Sequence, residues 1–386
     1  MHSSILVHYG ELALKGGNRS YFEKLLLSNI EIALRGSGSF TLRRLQGRIC
    51  IDFKNMTSQE DALGRLQNVF GVANIAFSKR IPTSMGEIEK TVASLVDEDS
   101  FKSFAIRTKR NDKRFEFSSS DINIRIGKMV QEKTKASVDL ENPERTISIE
   151  IVDDNTFVFT KRYQGSGGLP VGSAGKVACL ISGGIDSPVA AWRMMRRGCA
   201  PFYIHFHSAP FTSQASVEKV IDLVEHLSRG LQGVKLALVP FGNIQQKIVR
   251  ETSEAYRVLL YRRFMMRIAE VLAKGEGAEA LVTGEALSQV ASQTLSNLAS
   301  IESVLTLPLL RPLVGMDKQE IVDQAKKIGT FQTACEPHDD CCSFLMPQFP
   351  KTHSNLQEME SVESSLDIEA LVQLGIKETV TSPIFS

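Results

Sequence analysis

An apolar run that passes through a pair of glycines directly into a helix constrains this chain more than any other feature. Val177-Ala178-Cys179-Leu180-Ile181 leads into Ser182-Gly183-Gly184-Ile185-Asp186-Ser187, and residues 188–196 are amphipathic at helical spacing. Further short apolar runs lie at 201–206, 235–240, 280–283 and 305–310, with helical stretches between them. Unpunctuated apolar strands alternating with helices predict a doubly wound parallel sheet covered on both faces. Glycines lack a Cβ, so their backbone N–H groups can converge on an anion, and the helix that follows adds unsatisfied donors and a positive dipole end. Pro188 suits a first-turn position, where its missing N–H costs nothing. Asp186 places a carboxylate beside the bound phosphates, where Mg²⁺ can be held. The other common phosphate loop needs Lys followed by Ser or Thr after its last glycine, and Gly175-Lys176 continues into Val177 instead.

The preceding half has a different rhythm. Residues 4–8 read as a strand, and Asn18 is expected to cap a helix reaching Leu34 whose apolar stripe is Phe22, Leu25, Leu26, Ile30, Ala33 and Leu34. Residues 42–53 read as a hairpin turning near Gln46-Gly47, followed by a helix at 59–69 and a strand at 74–79. That order, βαββαβ, is ferredoxin-like. From Ser84 the pattern starts again, with helices at 85–96 and 120–134 and strands at 104–109, 146–152 and 156–163: a second small α+β unit. The glycine-rich stretch 165–175 reads by composition as a flexible linker. The expected division is 1–60, 61–165, a linker at 166–175, and 176–386, which suits a chain of 386 residues.

Charge excludes little. The chain has 45 basic and 44 acidic residues, so any nucleic-acid surface must be a local patch. The densest basic run is Arg107-Thr108-Lys109-Arg110-Asn111-Asp112-Lys113-Arg114, with Arg125 and Lys128 following on one helix face. Such runs are usually solvated faces, but they can also neutralise phosphates. No apolar run can span a bilayer and the N-terminus does not read as a signal peptide, so a cytoplasmic location with reduced thiols is expected. Of six cysteines, Cys50, Cys179 and Cys199 lie in or beside predicted core elements. The segment Cys335-Glu336-Pro337-His338-Asp339-Asp340-Cys341-Cys342 is different: it is clustered and Pro-flanked, fit either for thiolate chemistry or, through Cys335, His338, Cys341 and Cys342, for zinc or an iron–sulfur centre. The absence of a paired C-x-x-C weighs against metal.

Ser182-Gly183-Gly184-Ile185-Asp186-Ser187 resembles the PP-loop of ATP pyrophosphatases, which split ATP into AMP and pyrophosphate. The whole chain is similar to the tRNA 4-thiouridine synthetase family (ThiI, tRNA sulfurtransferases). Four further stretches carry the likeness: Tyr9 to Arg19, the region 61–165, which looks like a THUMP RNA-binding domain, Thr283 to Thr294, and Arg311 to Lys318 leading to Cys341. The resemblance implies ATP contacts at Leu180, Ile181, Ser182, Gly183, Gly184, Asp186, Ser187, His205, Phe206, Arg262, Gly284 and Gln293. It implies catalytic roles for Asp186, Lys318 and Cys341, with Asp186 also reaching Mg²⁺ through ATP. The THUMP-like region raises the standing of Arg107, Lys109, Arg110, Lys113 and Arg114 as tRNA contacts. The implied reaction adenylates the C4 oxygen of uridine 8 in tRNA and replaces it with sulfur from a Cys341 persulfide supplied by a cysteine desulfurase. ATP and Mg²⁺ are the expected cofactors, with no tightly bound organic group and no membrane partner, and a homodimer is left open. Longer members append a rhodanese domain, which puts a thiamine-pathway role in doubt for this shorter chain. Amide-forming or lysidine-type PP-loop enzymes, and a non-catalytic RNA-binding protein, are the rival readings.

Overall fold

The computed structural model describes residues 4–98, 100–111, 114–208, 211, 214–337, 345 and 347–385. The chain divides into two compact units after Pro170.

The first unit contains β1 (Ser4–Tyr9), α1 (Arg19–Ala33), β2 (Gly38–Leu45), β3 (Arg48–Met56), α2 (Gln59–Gln67), β4 (Val72–Pro82), α3 (Met85–Val96), β5 (Ser103–Arg110), α4 (Ser119–Thr134), β6 (Ser137–Val138), β7 (Arg145–Val152), β8 (Asn155–Phe159) and β9 (Tyr163–Gln164). One sheet runs through all of it in the order β2-β3-β1-β4-β8-β7-β5-β6, with β9 beside β4. The eleven-residue β4 is shared: Val7 on β1 faces its Ile75, and further along its Lys79 pairs with Val158 of β8. The seam between the ferredoxin-like and THUMP halves therefore lies within β4 rather than at residue 60. Ile5, Val7, Leu26, Ile30, Ile49 and Ile75 centre the first core, and Ile88, Val92, Phe104, Ile122, Ile126 and Ile149 the second.

Ser58, Ser84 and Ser118 each accept the backbone N–H three residues on, capping α2, α3 and α4 for about 1 kcal/mol apiece. Asn18 does not do this for α1. Its backbone is already helical (φ −85°, ψ −3°) after two short 3₁₀ turns, so its side chain is not in capping geometry. Tyr9 and Arg19, the ends of the N-terminal motif, instead brace one another: Arg19 Nη2 donates to the Tyr9 hydroxyl at 2.8 Å, and both reach Glu23.

The glycine-rich stretch is not a free tether. Gly165 and Gly167 donate to the carbonyls of Ala73 and Val72 at 3.0 and 2.8 Å, and Leu169 is buried in the ferredoxin-like core. A Cβ on Gly165 would lie 2.4 Å from the Val72 carbonyl oxygen, so glycine here serves close backbone approach, not flexibility.

The second unit contains β10 (Lys176–Leu180), α5 (Asp186–Arg196), β11 (Ala200–His207), α6 (Ala215–Ser228), β12 (Lys235–Pro240), α7 (Gly242–Glu251), α8 (Arg257–Gly275), β13 (Ala280–Val282), α9 (Leu295–Glu302), β14 (Leu309–Leu310), α10 (Lys318–Lys327), α11 (Phe331–Cys335), α12 (Leu356–Glu363), α13 (Ile368–Lys377) and β15 (Val380–Pro383). The sheet order is β14-β13-β10-β11-β12-β15, parallel except for β15. From β10 the chain moves outward through β11 and β12, then returns to place β13 and β14 on the other side of β10. The strand order thus reverses between β10 and β13, and open sheets of this kind bind ligands outside the carboxyl ends at that point.

Two strands differ from expectation. The run 305–310 supplies only Leu309–Leu310, because the N–H groups of Thr306 and Leu307 are taken by the Glu270 carboxylate, each at 2.6 Å. Val380–Pro383 forms an exposed antiparallel edge whose composition carries no alternation to announce it. Among the described residues no helix is long and apolar enough to cross a membrane.

Candidate nucleotide site

A cavity of about 430 Å³ opens at the carboxyl ends of β10, β11 and β13, at the strand-order reversal. Its wall brings together Leu180, Ile181, Ser182, Gly184, Asp186, Ser187, His205, Phe206, Arg262, Gly284 and Gln293, every proposed ATP contact except Gly183, which lies between two of them in sequence. The strands deliver Leu180 and His205-Phe206, the loop after β10 delivers residues 181–187, and α8 delivers Arg262.

The phosphate loop is held in shape by its own serines. Ser187 Oγ accepts the Ser182 backbone N–H at 2.8 Å and lies 3.1 Å from Ser182 Oγ, so the loop is closed across its base. Asp186 and Ser187 open α5, whose N-terminal amides point at the cavity side of the sheet. Gly284 lets the loop after β13 press onto this turn. A Cβ there would fall 2.7 Å from Ser187 N and 2.9 Å from the Asp186 carbonyl carbon, and both are backbone atoms that cannot swing aside. His205 Nδ1 lies 2.9 Å from the Ile181 carbonyl oxygen, so the proton sits on Nδ1 and ties β11 to the loop.

Asp186 is gripped from two sides. Lys318 Nζ, at the first position of α10, donates to Oδ1 at 2.5 Å, and Gln289 Nε2 donates to Oδ2 at 2.9 Å. The fold thereby unites Asp186 and Lys318, 132 residues apart. Lys318 is tolerated at a helix start because Asp317 and Glu320 form a capping box around it and supply the negative charge that the dipole favours. Sequence reasoning took Gly284 and Gln293 from the stretch 283–294 and missed Thr283, Glu285, Gln289 and Ser292, all of which line the cavity. Glu285 is buried with Oε2 held by Arg311 at 2.9 Å, while its Oε1 and the Oε1 of Gln293 have no partner among the described residues. Buried acceptors left open in a cavity wall suit a ligand that donates.

The described residues contain no group of three or more His, Cys, Asp or Glu side chains able to hold a metal. One carboxylate beside a phosphate cradle matches the habit of Mg²⁺, which keeps its waters and arrives with the nucleotide's phosphates.

The remaining sites divide by exposure. Cys50, Cys179 and Cys199 are buried free thiols. Burial pushes Cys50 up to about 11 and raises Cys179 and Cys199 as well, so none is a ready thiolate. Cys335 is exposed at the end of α11. His338, Cys341 and Cys342 lie outside the described residues, as does Lys113. Arg107 and Lys109 are exposed on one face of β5, Arg110 donates to the Phe115 carbonyl at 3.2 Å, and Arg114 pairs with Asp154 at 3.3 Å in full solvent.

Comparison with known proteins agrees with this arrangement. Residues 172–368 match the family model for the thiamine biosynthesis protein ThiI, residues 4–76 the ThiI ferredoxin-like domain, and residues 82–161 the THUMP domain. A probable tRNA sulfurtransferase of Caldanaerobacter subterraneus subsp. tengcongensis is 40% identical, over 98% of this chain and 100% of that protein. One from Thermus thermophilus is 41% identical, over 98% and 93% respectively. A solved 4-thiouridine synthetase, crystallised with RNA and bound ATP, superposes with a TM-score of 0.89 at 35% identity over 99% of this chain and all of that one. With its three parts and nearly its full length matched, the chain belongs to the ThiI family of tRNA sulfurtransferases.

Proposed function

We propose that this enzyme adenylates the C4 oxygen of uridine 8 in tRNA and exchanges that oxygen for sulfur, acting in the cytoplasm on ATP, tRNA and a persulfide from a cysteine desulfurase. The observation that carries the reading is the Asp186–Lys318 contact of 2.5 Å at the mouth of a serine-closed phosphate loop. A cation and a carboxylate held together beside an anion-binding loop support cleavage of the α–β bond of ATP at this site.

Backbone amides of residues 182–187 and the start of α5 would take the pyrophosphate end, and the apolar ends of β10 and β11 the adenine. The target base must leave its stack to reach the cavity. Its O4 attacks the α-phosphorus, N3 gives up its proton, and pyrophosphate leaves. Lys318 counters the charge developing on the transferring group. Mg²⁺ bound with ATP, on Asp186, would supply further charge neutralisation on the phosphates. The terminal sulfur of a Cys341 persulfide then attacks C4 and AMP departs. A thiol, for which Cys335 and Cys342 are candidates, breaks the remaining S–S bond and frees thiouridine with an enzyme disulfide.

The buried state of Cys50, Cys179 and Cys199 supports assigning sulfur delivery to the segment that carries Cys341. Incubation with tRNA, ATP, Mg²⁺ and a desulfurase with cysteine should yield thiouridine on digestion and mass analysis. Cys341→Ser should release pyrophosphate in the presence of tRNA yet make no thiouridine from the persulfide donor. Full thiouridine formation by this variant would take the sulfur-carrying role away from Cys341.

A further inference from the structure

The loop between Gly284 and Gln293 is folded back on itself. Ser288 N donates to the Gln293 carbonyl at 2.9 Å, Gln293 N to the Val290 carbonyl at 2.9 Å, and Leu287 N to the Val314 carbonyl at 3.1 Å. Within it Ser288 has φ +61°, a left-handed conformation that costs a serine free energy and that a glycine would adopt readily. The residue presented by that strained turn is Gln289. Its side chain lines the cavity and donates to Asp186 Oδ2 at 2.9 Å. Lys318 takes the other oxygen, so both oxygens of the phosphate-loop carboxylate are engaged by side chains.

We propose that Gln289 is a positioning residue for Asp186: it fixes the carboxylate toward the cavity and competes with the nucleotide's divalent cation for Oδ2. The proposal rests on the reading of the cavity as an ATP site. Its logic is one of donors and acceptors. An amide N–H and a divalent cation cannot share one lone pair of a carboxylate oxygen, so a cation that approaches Oδ2 along the direction Gln289 occupies must displace it. Lys318 is the harder of the two partners to displace because it carries full charge. Once released, the Gln289 amide remains in the cavity wall beside the polyphosphate. The three backbone hydrogen bonds of the folded-back loop hold Ser288 in its left-handed conformation and keep the loop from relaxing away from Asp186 in the meantime. The arrangement makes cation affinity and carboxylate alignment oppose one another, which a merely structural hydrogen bond would not do.

The test separates the two quantities. Mn²⁺ binding is followed by electron paramagnetic resonance, with α,β-methylene ATP present because its α–β bond cannot be cleaved. Gln289→Ala should lower the Mn²⁺ midpoint about tenfold, the scale of one hydrogen bond to a charged group. At saturating cation its adenylation rate on tRNA should fall rather than rise. Gln289→Glu, which turns the donor into a second carboxylate facing Asp186, should bind Mn²⁺ without nucleotide, where the native protein does not. An unchanged or raised midpoint in Gln289→Ala overturns the proposal, and so does an absence of nucleotide-free Mn²⁺ binding in Gln289→Glu. If either variant is unstable, the other still decides. A native protein that binds no analogue at all would sink the ATP reading and this inference with it. Normal analogue binding with an unmoved midpoint would sink this inference alone.

Discussion

Each unit of the molecule contains a carboxylate clamped by side-chain donors, and the two clamps are built to opposite ends. In the first unit Glu150 on β7 receives His8 from β1 at 3.0 Å, Arg48 from β3, and Arg162 at 2.7 Å. Glu150 and Arg48 are 1% and 2% exposed. In the second unit Asp186 receives Lys318 and Gln289, with its side chain 22% and that of Lys318 49% exposed. The first cluster ties the ferredoxin-like half to the THUMP half through a carboxylate that is itself buried. The second borders a cavity of about 430 Å³. Similar chemical parts therefore make a structural lock in one place and the proposed reaction site in the other, and burial separates the two. A sealed pair is costly to break because the partner left behind stays desolvated, whereas an open pair can be exchanged for a ligand at little cost.

The largest expected difference is in activity. Asp186→Ala should reduce AMP formation on tRNA by about 10²–10³-fold, the scale of losing one preorganised electrostatic group. Thermal stability and tRNA affinity should stay near native values, because the pair it breaks is solvent-accessible. Measuring the three quantities on one preparation tests the contrast directly. A parallel collapse of stability would mean that the open clamp is also a lock.

Glu150→Gln should do the reverse. Removing the charge leaves Arg48 buried and unpaired, a loss of about 3–5 kcal/mol in denaturant unfolding, with ATP-analogue binding by the second unit unaffected. The pH dependence has a definite sign. Burial alone raises the Glu150 carboxyl, but the hydrogen bond from His8 and the charges of Arg48 and Arg162 overcome it and hold it at about 2. A depressed carboxyl stabilises the fold above its unfolded value and loses that contribution as pH falls, here between about 4.5 and 2. His8 acts in the same direction: burial lowers it from 6.5, so acidification forces a proton onto a group that the fold prefers neutral. With two guanidiniums already on Glu150, His8 therefore contributes mainly as a neutral hydrogen-bond donor. The native first unit should lose stability on acidification, first below about 6.5 and then below about 4.5, and the second, lower step should be missing in Glu150→Gln. Replacing Glu150 by Leu and Arg48 by Met together should recover much of the loss, since no orphaned charge remains.

The open clamp was half legible in the sequence, and the sealed one was not. An apolar strand, two glycines and an aspartate before a helix announce a phosphate loop locally, within a dozen residues. The likeness to the ThiI family then supplied Lys318, Gly284 and Gln293. Gln289 escaped because a neutral polar residue in a loop has no period and no charge, and its meaning comes only from meeting Asp186 across 103 residues. His8, Arg48 and Glu150 sit in strands whose alternation predicts an outward polar side chain. Their burial comes with side-chain contacts between β7 and the strands β1 and β3, from which β4 and β8 separate it in the sheet, and no local pattern encodes that meeting. Glycine was misread for a related reason: in 165–167 composition suggests freedom, while the backbone contacts to Val72 and Ala73 show confinement. Helix and hairpin positions were the easy part, as in the turn at Gln46-Gly47 that joins β2 to β3.

The smallest expected effect sharpens the contrast most. Lys318→Gln removes the cation from the open clamp while keeping a side chain that can still donate. Asp186 would retain Gln289, and it sits at the first position of α5, where a negative charge is favoured by the helix N-terminus whether or not Lys318 is present. An exposed ion pair of this kind contributes below about 1 kcal/mol, so the melting temperature should move by less than about 4 °C in a unit of this size. Adenylation should nevertheless fall steeply, because the lost charge is needed on the transferring phosphoryl group and not on the fold. Differential scanning calorimetry beside a pyrophosphate-release assay reads both. A loss of several degrees with activity intact would place Lys318 with Arg48 among the structural cations, and would leave the developing charge at the α-phosphate to Arg262, the arginine of the described cavity wall.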